Sequence, residues 1–151
     1  MSDPKKKPPP PVFLLLSIIA MFLLDRFVPV AECDSPWAIG TGAVLLAAGL
    51  AITISSAQRF RRAGTPLRPF EESTAVVTSG LFRYTRNPMY LGMVVGQIGI
   101  ASMLGSVTSP APILVFVLII HNLFIVHEER FMEGLFGEEY LAYKSAVRRW
   151  I

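Results

Sequence analysis

Four apolar runs close to membrane-spanning length, separated by short polar turns, constrain this chain more than any other feature. The first runs from Val12 to about Val30 and the second from Trp37 to Ala57. At 19 and 21 residues they match the ~20 residues that a bilayer core demands of a helix. The third runs from about Met89 to Val107, and the fourth from near Pro112 to Val126, where "HEER" begins. The fourth has only 15 residues, a length that works when its polar end lies against protein or in the headgroup layer. Composition agrees: 52% of residues are hydrophobic, and the charged 17% are clustered between the runs. The expected fold is an all-α integral membrane protein with four transmembrane helices plus a C-terminal amphipathic interfacial helix.

The charges orient those spans. Of 14 Lys and Arg, all but Arg26 fall in the N-terminal tail, the middle loop or the C-terminal segment. The turns "AECDSP" and "GSVTSPAP" carry none. The positive-inside rule then places both termini and the middle loop on the cytoplasmic side of the inner membrane. The net charge of +3 is explained by these flanks, and no recognition motif accompanies it, so a nucleic-acid partner is not expected. Residues 1–11, "MSDPKKKPPPP", read as a disordered or extended basic tail, and residues 12–151 as one membrane domain. The single cysteine, Cys33, allows no internal disulfide. "VAEC" faintly resembles a lipoprotein cleavage box, but Glu32 stands where a small residue is wanted. The first run therefore reads as an uncleaved span.

Two polar constellations border the apolar runs. The first is "AVVTSGLFRYTRNPMYLG". Gly80 reads as a turn, Asn87 as a helix N-cap and Pro88 as the first-turn proline of the third span. Interfacial arginines, a cap and an anchoring tyrosine would account for this stretch by themselves. Gly92 and Gly96 form G-x-x-x-G, which lets a second helix approach closely.

The second constellation is "HNLFIVHEERFMEGLFGEEYLAYKSAVRRW". On an α-helix His121, Phe124 and Glu128 share one face. Glu129 points elsewhere, with Arg130 beside it. Carboxylates at the end of an apolar span are costly without partners. His121 by itself reads as a hydrogen-bonded packing residue, and no second histidine lies at metal-ligand spacing, so no metal is expected. After Gly137, "EEYLAYKSAVRRWI" patterns as an amphipathic helix offering Tyr140, Tyr143, Val147 and Trp150 to an interface. It would anchor on the membrane surface or form a lid over the two constellations.

"VTSGLFRYTRNPMYLG" followed by "EERFMEGLFGEEYLAYKSAVRRW" resembles the isoprenylcysteine carboxyl methyltransferase family, in its small bacterial membrane branch. It is more distantly similar to phospholipid N-methyltransferases. The resemblance spans about Val76 to Trp150 and implies an integral membrane methyltransferase using S-adenosylmethionine. The cofactor-binding positions it implies are Val76, Val77, Phe82, Arg86, Asn87, Pro88, Tyr90 and Glu128. His121 and Phe124 are the candidate contacts to the methyl acceptor. Phe82 stands where tyrosine is usual, and Asn87 replaces the histidine of the eukaryotic enzymes, which excludes a role needing an imidazole. Phe124 stands where those enzymes carry an arginine, which weakens the case for a prenylcysteine carboxylate as acceptor.

The residue types suit that cofactor. Glu128 can pair its ammonium, and Arg86 or the Asn87 amide its carboxylate. Tyr90 and Phe82 offer ring faces to the sulfonium or adenine. The acceptor would be a small or lipophilic carboxylate, amine or thiol; with the sulfide leaving group already activated, no general base is assigned. Two other classes compete: a small four-span transporter and a non-catalytic packing or assembly protein. A transporter acid sits mid-span, whereas Glu128 lies at a span's inner end.

Overall fold

A computed structural model describes residues 8–28, 30–31, 35–64 and 75–151. The expected positions Lys5, Lys6, Lys7, Cys33 and Arg68 lie outside the described residues. Helix α1 spans Pro10–Phe27, α2 Ala38–Arg62, α3 Pro88–Leu104, α4 Ala111–Ile120, α5 Val126–Phe136 and α6 Glu138–Ala146. The first helix starts at Pro10, two residues earlier than the apolar run. Pro10 and Pro11 fill the first turn, where the missing N–H costs nothing.

The fourth run does not stop at Val126. A π-helical turn, His121–Ile125, joins α4 to α5, so one helical rod continues from Ala111 to Phe136. "HEER" lies inside it rather than beyond it. The rod, α1 and α2 are long and apolar enough to cross a bilayer. Helix α3 has 17 residues, roughly 26 Å at 1.5 Å per residue, and completes the set as a short span. This is a four-span membrane bundle.

Helices α2 and α3 form its tightest contact, and glycine explains why. A Cβ on Gly49 would lie 2.5 Å from the Gly92 carbonyl oxygen, and one on Gly99 would lie 2.6 Å from the Gly42 carbonyl oxygen. Gly42 and Gly49 are one heptad apart, as are Gly92 and Gly99, so the two stripes meet backbone to backbone. The close approach expected of G-x-x-x-G is present, but Gly96 contributes its own backbone; a Cβ there would meet only Leu46 Cδ1 at 3.7 Å.

Lipid leaves polar groups no water, so the spans satisfy their own. Thr41, Thr53 and Ser56 return their hydroxyls to carbonyls four residues back. Buried Ser17 on α1 donates to Gln97 Oε1 on α3 at 2.5 Å and lies 3.2 Å from the Pro112 carbonyl on α4. At one end of the bundle, Thr108 Oγ1 donates to the Val28 carbonyl, tying its two turns together. The opposite end carries both polar constellations.

Candidate functional site

The site is assembled where α2 ends, α3 begins and α5 emerges from its π turn. Gly80, at φ +65°, turns the chain into a short 3-10 segment, Gly80–Arg83. That segment delivers Phe82 to the protein interior, where its buried ring stacks obliquely on Phe60 of α2 at 5.2 Å. The Phe82 carbonyl accepts a hydrogen bond from the Tyr143 hydroxyl at 2.7 Å. Burial pushes the Tyr143 phenol up to about 12, so it remains a donor at neutral pH.

Pro88 sets the first turn of α3, and Asn87 occupies the N-cap position without capping through its side chain. Instead Asn87 Nδ2 donates to the Arg149 carbonyl at 2.9 Å. One turn into α3, the buried Tyr90 ring joins Phe116, Ile120, Phe124 and Ile125 in an apolar cluster. Its hydroxyl donates to Glu128 Oε1 at 2.8 Å. A neutral phenol is the hydrogen-bond partner of this carboxylate, and no cationic side chain pairs with it among the described residues.

Glu129 differs in every respect. It is buried, and Arg149 grips it with two bonds, Nε to Oε1 at 2.9 Å and Nη2 to Oε2 at 2.7 Å. Arg86 Nη2 adds a third at 3.0 Å. Arg130, expected beside Glu129, is solvent- or lipid-facing and takes no part in these ion pairs. The cause is register: adjacent helical residues point about 100° apart, and Glu129 is the one turned toward the C-terminal segment.

Several expected roles shift accordingly. Arg86, a candidate for a cofactor carboxylate, spends Nη1 on the carbonyls of Lys144 and Val147 and Nη2 on Glu129. The rings of Phe82 and Tyr90 are buried, the first against Phe60 and the second in an apolar cluster. Phe124 is fully buried edge-on against Phe13 of α1, at 5.8 Å, so it is a core residue. The π turn advances the chain by an extra residue, so the α-helical spacing assumed for His121, Phe124 and Glu128 does not hold.

The C-terminal helix is also shorter than expected. It ends at Ala146, and Val147 is extended. Arg148 pairs with Thr85 in an isolated parallel bridge. Tyr140 is buried, and Trp150 packs against the Tyr90 cluster, so both face protein rather than a membrane surface.

Sequence reasoning missed two residues. Arg59 and Arg62, read as inner-side flanking charges, line an open cleft of about 330 Å³ with Val76, Val77, Thr78 and Ser79. Arg59 Nη1 donates to Ser79 Oγ at 3.3 Å. Their i, i+3 spacing, which puts both on one helix face, was the signal available.

Comparison with known proteins gives this geometry its context. A protein of Haemophilus influenzae with no assigned function is 35% identical over 63 residues, covering 42% of this chain and all of that one. Protein-S-isoprenylcysteine O-methyltransferase A of Arabidopsis thaliana is 32% identical over 81 residues, 52% of this chain and 40% of that one. The corresponding enzyme of Schizosaccharomyces pombe is 32% identical over 75 residues, 48% of this chain and 30% of that one. The chain thus matches less than half the length of these methyltransferases. The solved structure of the eukaryotic intramembrane Ras methyltransferase, isoprenylcysteine carboxyl methyltransferase, superposes with a TM-score of 0.70 at 21% identity. It covers 93% of this chain and 51% of that one, so the fold is shared. The Tyr90–Glu128 pair and the glycine-lined α2–α3 contact both fall within residues 37–139, the stretch matched by the phospholipid methyltransferase family model, and on that match the chain belongs to this family.

Proposed function

We propose that the chain is an S-adenosylmethionine-dependent methyltransferase acting at the cytoplasmic membrane face on a small or lipophilic acceptor. The observation that carries this reading is Glu128: a carboxylate at the end of a membrane span, bonded by a neutral phenol, beside a second carboxylate that is fully ion-paired. Along the Ala111–Phe136 rod it lies roughly 25 Å from the start, near the far edge of a bilayer core. A coupling acid of a transporter would sit at mid-depth.

The residues fit the cofactor. When bound, S-adenosylmethionine supplies a methyl group activated by its sulfonium. Glu128 would pair the ammonium, with Tyr90 fixing one carboxylate oxygen so that the other is aimed. Val76 and Val77 would supply apolar contacts to the adenine. Arg86 and Asn87 are engaged by the C-terminal segment, and Arg59 and Arg62, which line the cleft with Val76 and Val77, would take the carboxylate. Phe82, Pro88, Arg86 and Asn87 would then shape the site rather than touch the ligand's charges. The protein's part is alignment and exclusion of water, which suits the buried surroundings of Tyr90. His121, half-buried on the π turn, would be the contact to the acceptor.

The test is methyl transfer from labelled S-adenosylmethionine into a host lipid extract, with the product identified. Label in a lipid or lipophilic product supports the reading, and none with a folded, cofactor-binding sample overturns it. Binding itself should raise the melting temperature by several degrees at a hundredfold excess over Kd, from about 2.7 kcal/mol of linkage.

A further inference from the structure

Two consecutive acids on α5 grip two residues one helical turn apart around the start of α3. Glu129 holds Arg86, and Glu128 holds Tyr90. The segment that follows α6, Val147–Trp150, is laced into the first of these grips. Arg86 N donates to the Arg148 carbonyl at 2.9 Å. Arg86 Nη1 reaches the Lys144 and Val147 carbonyls at 2.7 and 2.9 Å. Thr85 Oγ1 and Asn87 Nδ2 both donate to the Arg149 carbonyl. Five hydrogen bonds join the Thr85–Asn87 loop to residues 144–149, and Arg149 adds two more to Glu129.

The ties depend on one carboxylate. The Arg86 side chain is only 9% exposed, and its Nε has no hydrogen-bond partner among the described residues. A guanidinium buried so far needs its counter-ion, since removing one partner of such a pair strands the other charge. Glu129 supplies that charge to Arg86 and, with two bonds, to Arg149 on the segment being held. Just beyond, Trp150 rests on the cluster that contains Tyr90. Loosening the segment therefore uncovers part of the cluster that contains Tyr90.

We infer that Glu129 is a positioning residue: through Arg86 and Arg149 it holds Val147–Trp150 closed against the start of α3, and so sets how long a ligand stays at Glu128. The ligand's identity rests on the methyltransferase reading; the clasp itself does not.

The experiment uses the full chain in lipid nanodiscs. Amide hydrogen exchange is followed over residues 84–87 and 147–151, and dissociation of S-adenosylhomocysteine is timed in parallel. Glu129→Gln should raise exchange in both segments and speed dissociation about tenfold, the equivalent of one lost charge-assisted bond. Arg149→Lys, which keeps the charge but not the two-pronged grip, should fall between it and wild type. Glu128→Gln should leave exchange at 147–151 as in wild type. Should Glu129→Gln fail to fold, Arg149→Ala replaces it, because that change leaves the Arg86–Glu129 pair intact. Unchanged exchange in the Glu129 and Arg149 variants overturns the clasp. Faster exchange with unchanged dissociation reduces it to a structural tie and overturns the positioning role. A wild type that binds no S-adenosylhomocysteine overturns the function and the control of ligand release together, whatever the exchange arm reads.

Discussion

Glu128 and Glu129 are adjacent, yet one accepts a hydrogen bond from a neutral phenol at 2.8 Å and the other is held by two guanidiniums at 2.7–3.0 Å. Their side chains leave the helix in different directions, so one backbone position separates a site from a structural clasp. This division predicts phenotypes that differ in stability. Glu128→Gln should cost about 1.5–3 kcal/mol of cofactor affinity, roughly ten- to a hundredfold, with little change in melting temperature. Glu129→Gln should lower stability by about 2–3 kcal/mol, the buried-pair value discounted because Arg149 is 35% exposed. Isothermal titration and thermal melts of both variants decide it. A loss of melting temperature in Glu128→Gln as large as in Glu129→Gln would remove the division.

The glycine stripe makes a second prediction. Gly49→Ala should disrupt the α2–α3 contact, since its Cβ would meet the Gly92 carbonyl, a backbone atom with nowhere to go. Gly96→Ala should be tolerated, with its nearest neighbour 3.7 Å away. Melting in detergent should separate the two by several degrees. If Gly96→Ala proves the worse of the pair, the helices do not meet through these faces.

The cationic cleft makes a third. Replacing Arg59 and Arg62 together by Gln should weaken S-adenosylhomocysteine binding about three- to tenfold, a modest effect because both side chains are exposed. Arg61→Gln, on the same helix but outside the cleft, is the control. A loss of the same size in Arg61→Gln would mean that general surface charge, and not the cleft, is at work.

Span number and the glycine contact were legible because lipid permits few solutions, and hydrophobic length and small-residue spacing report them directly. The place of Glu128 towards the end of a span was legible in the sequence too. What escaped was long-range. Nothing local to "RNP" says that Arg86 meets Glu129, 43 positions later, or that Asn87 bonds the Arg149 carbonyl instead of capping α3. The π turn was hidden as well. It arises inside "HNLFI", where composition is compatible with an ordinary α-helix, and it changes which residues share a face with Glu128. Arg59 and Arg62 escaped because the positive-inside rule already explained them.

The final prediction concerns topology, since S-adenosylmethionine is too polar to cross a bilayer unaided. The Thr108–Val28 tie gathers two turns at one end of the bundle, while Arg59, Arg86 and Glu128 belong to the other. The distribution of Lys and Arg predicts that this second end faces the cytoplasm. Single cysteines in a Cys33→Ser background, probed with a membrane-impermeant thiol reagent, read the assignment out. Val107 is exposed at the first end and serves as a probe there. Ser35→Cys and Val107→Cys should label in intact spheroplasts, and Arg61→Cys and Ser145→Cys only after lysis. The reverse pattern would put Glu128 and both cleft arginines on the face without cofactor supply, and the methyltransferase reading would fall with it.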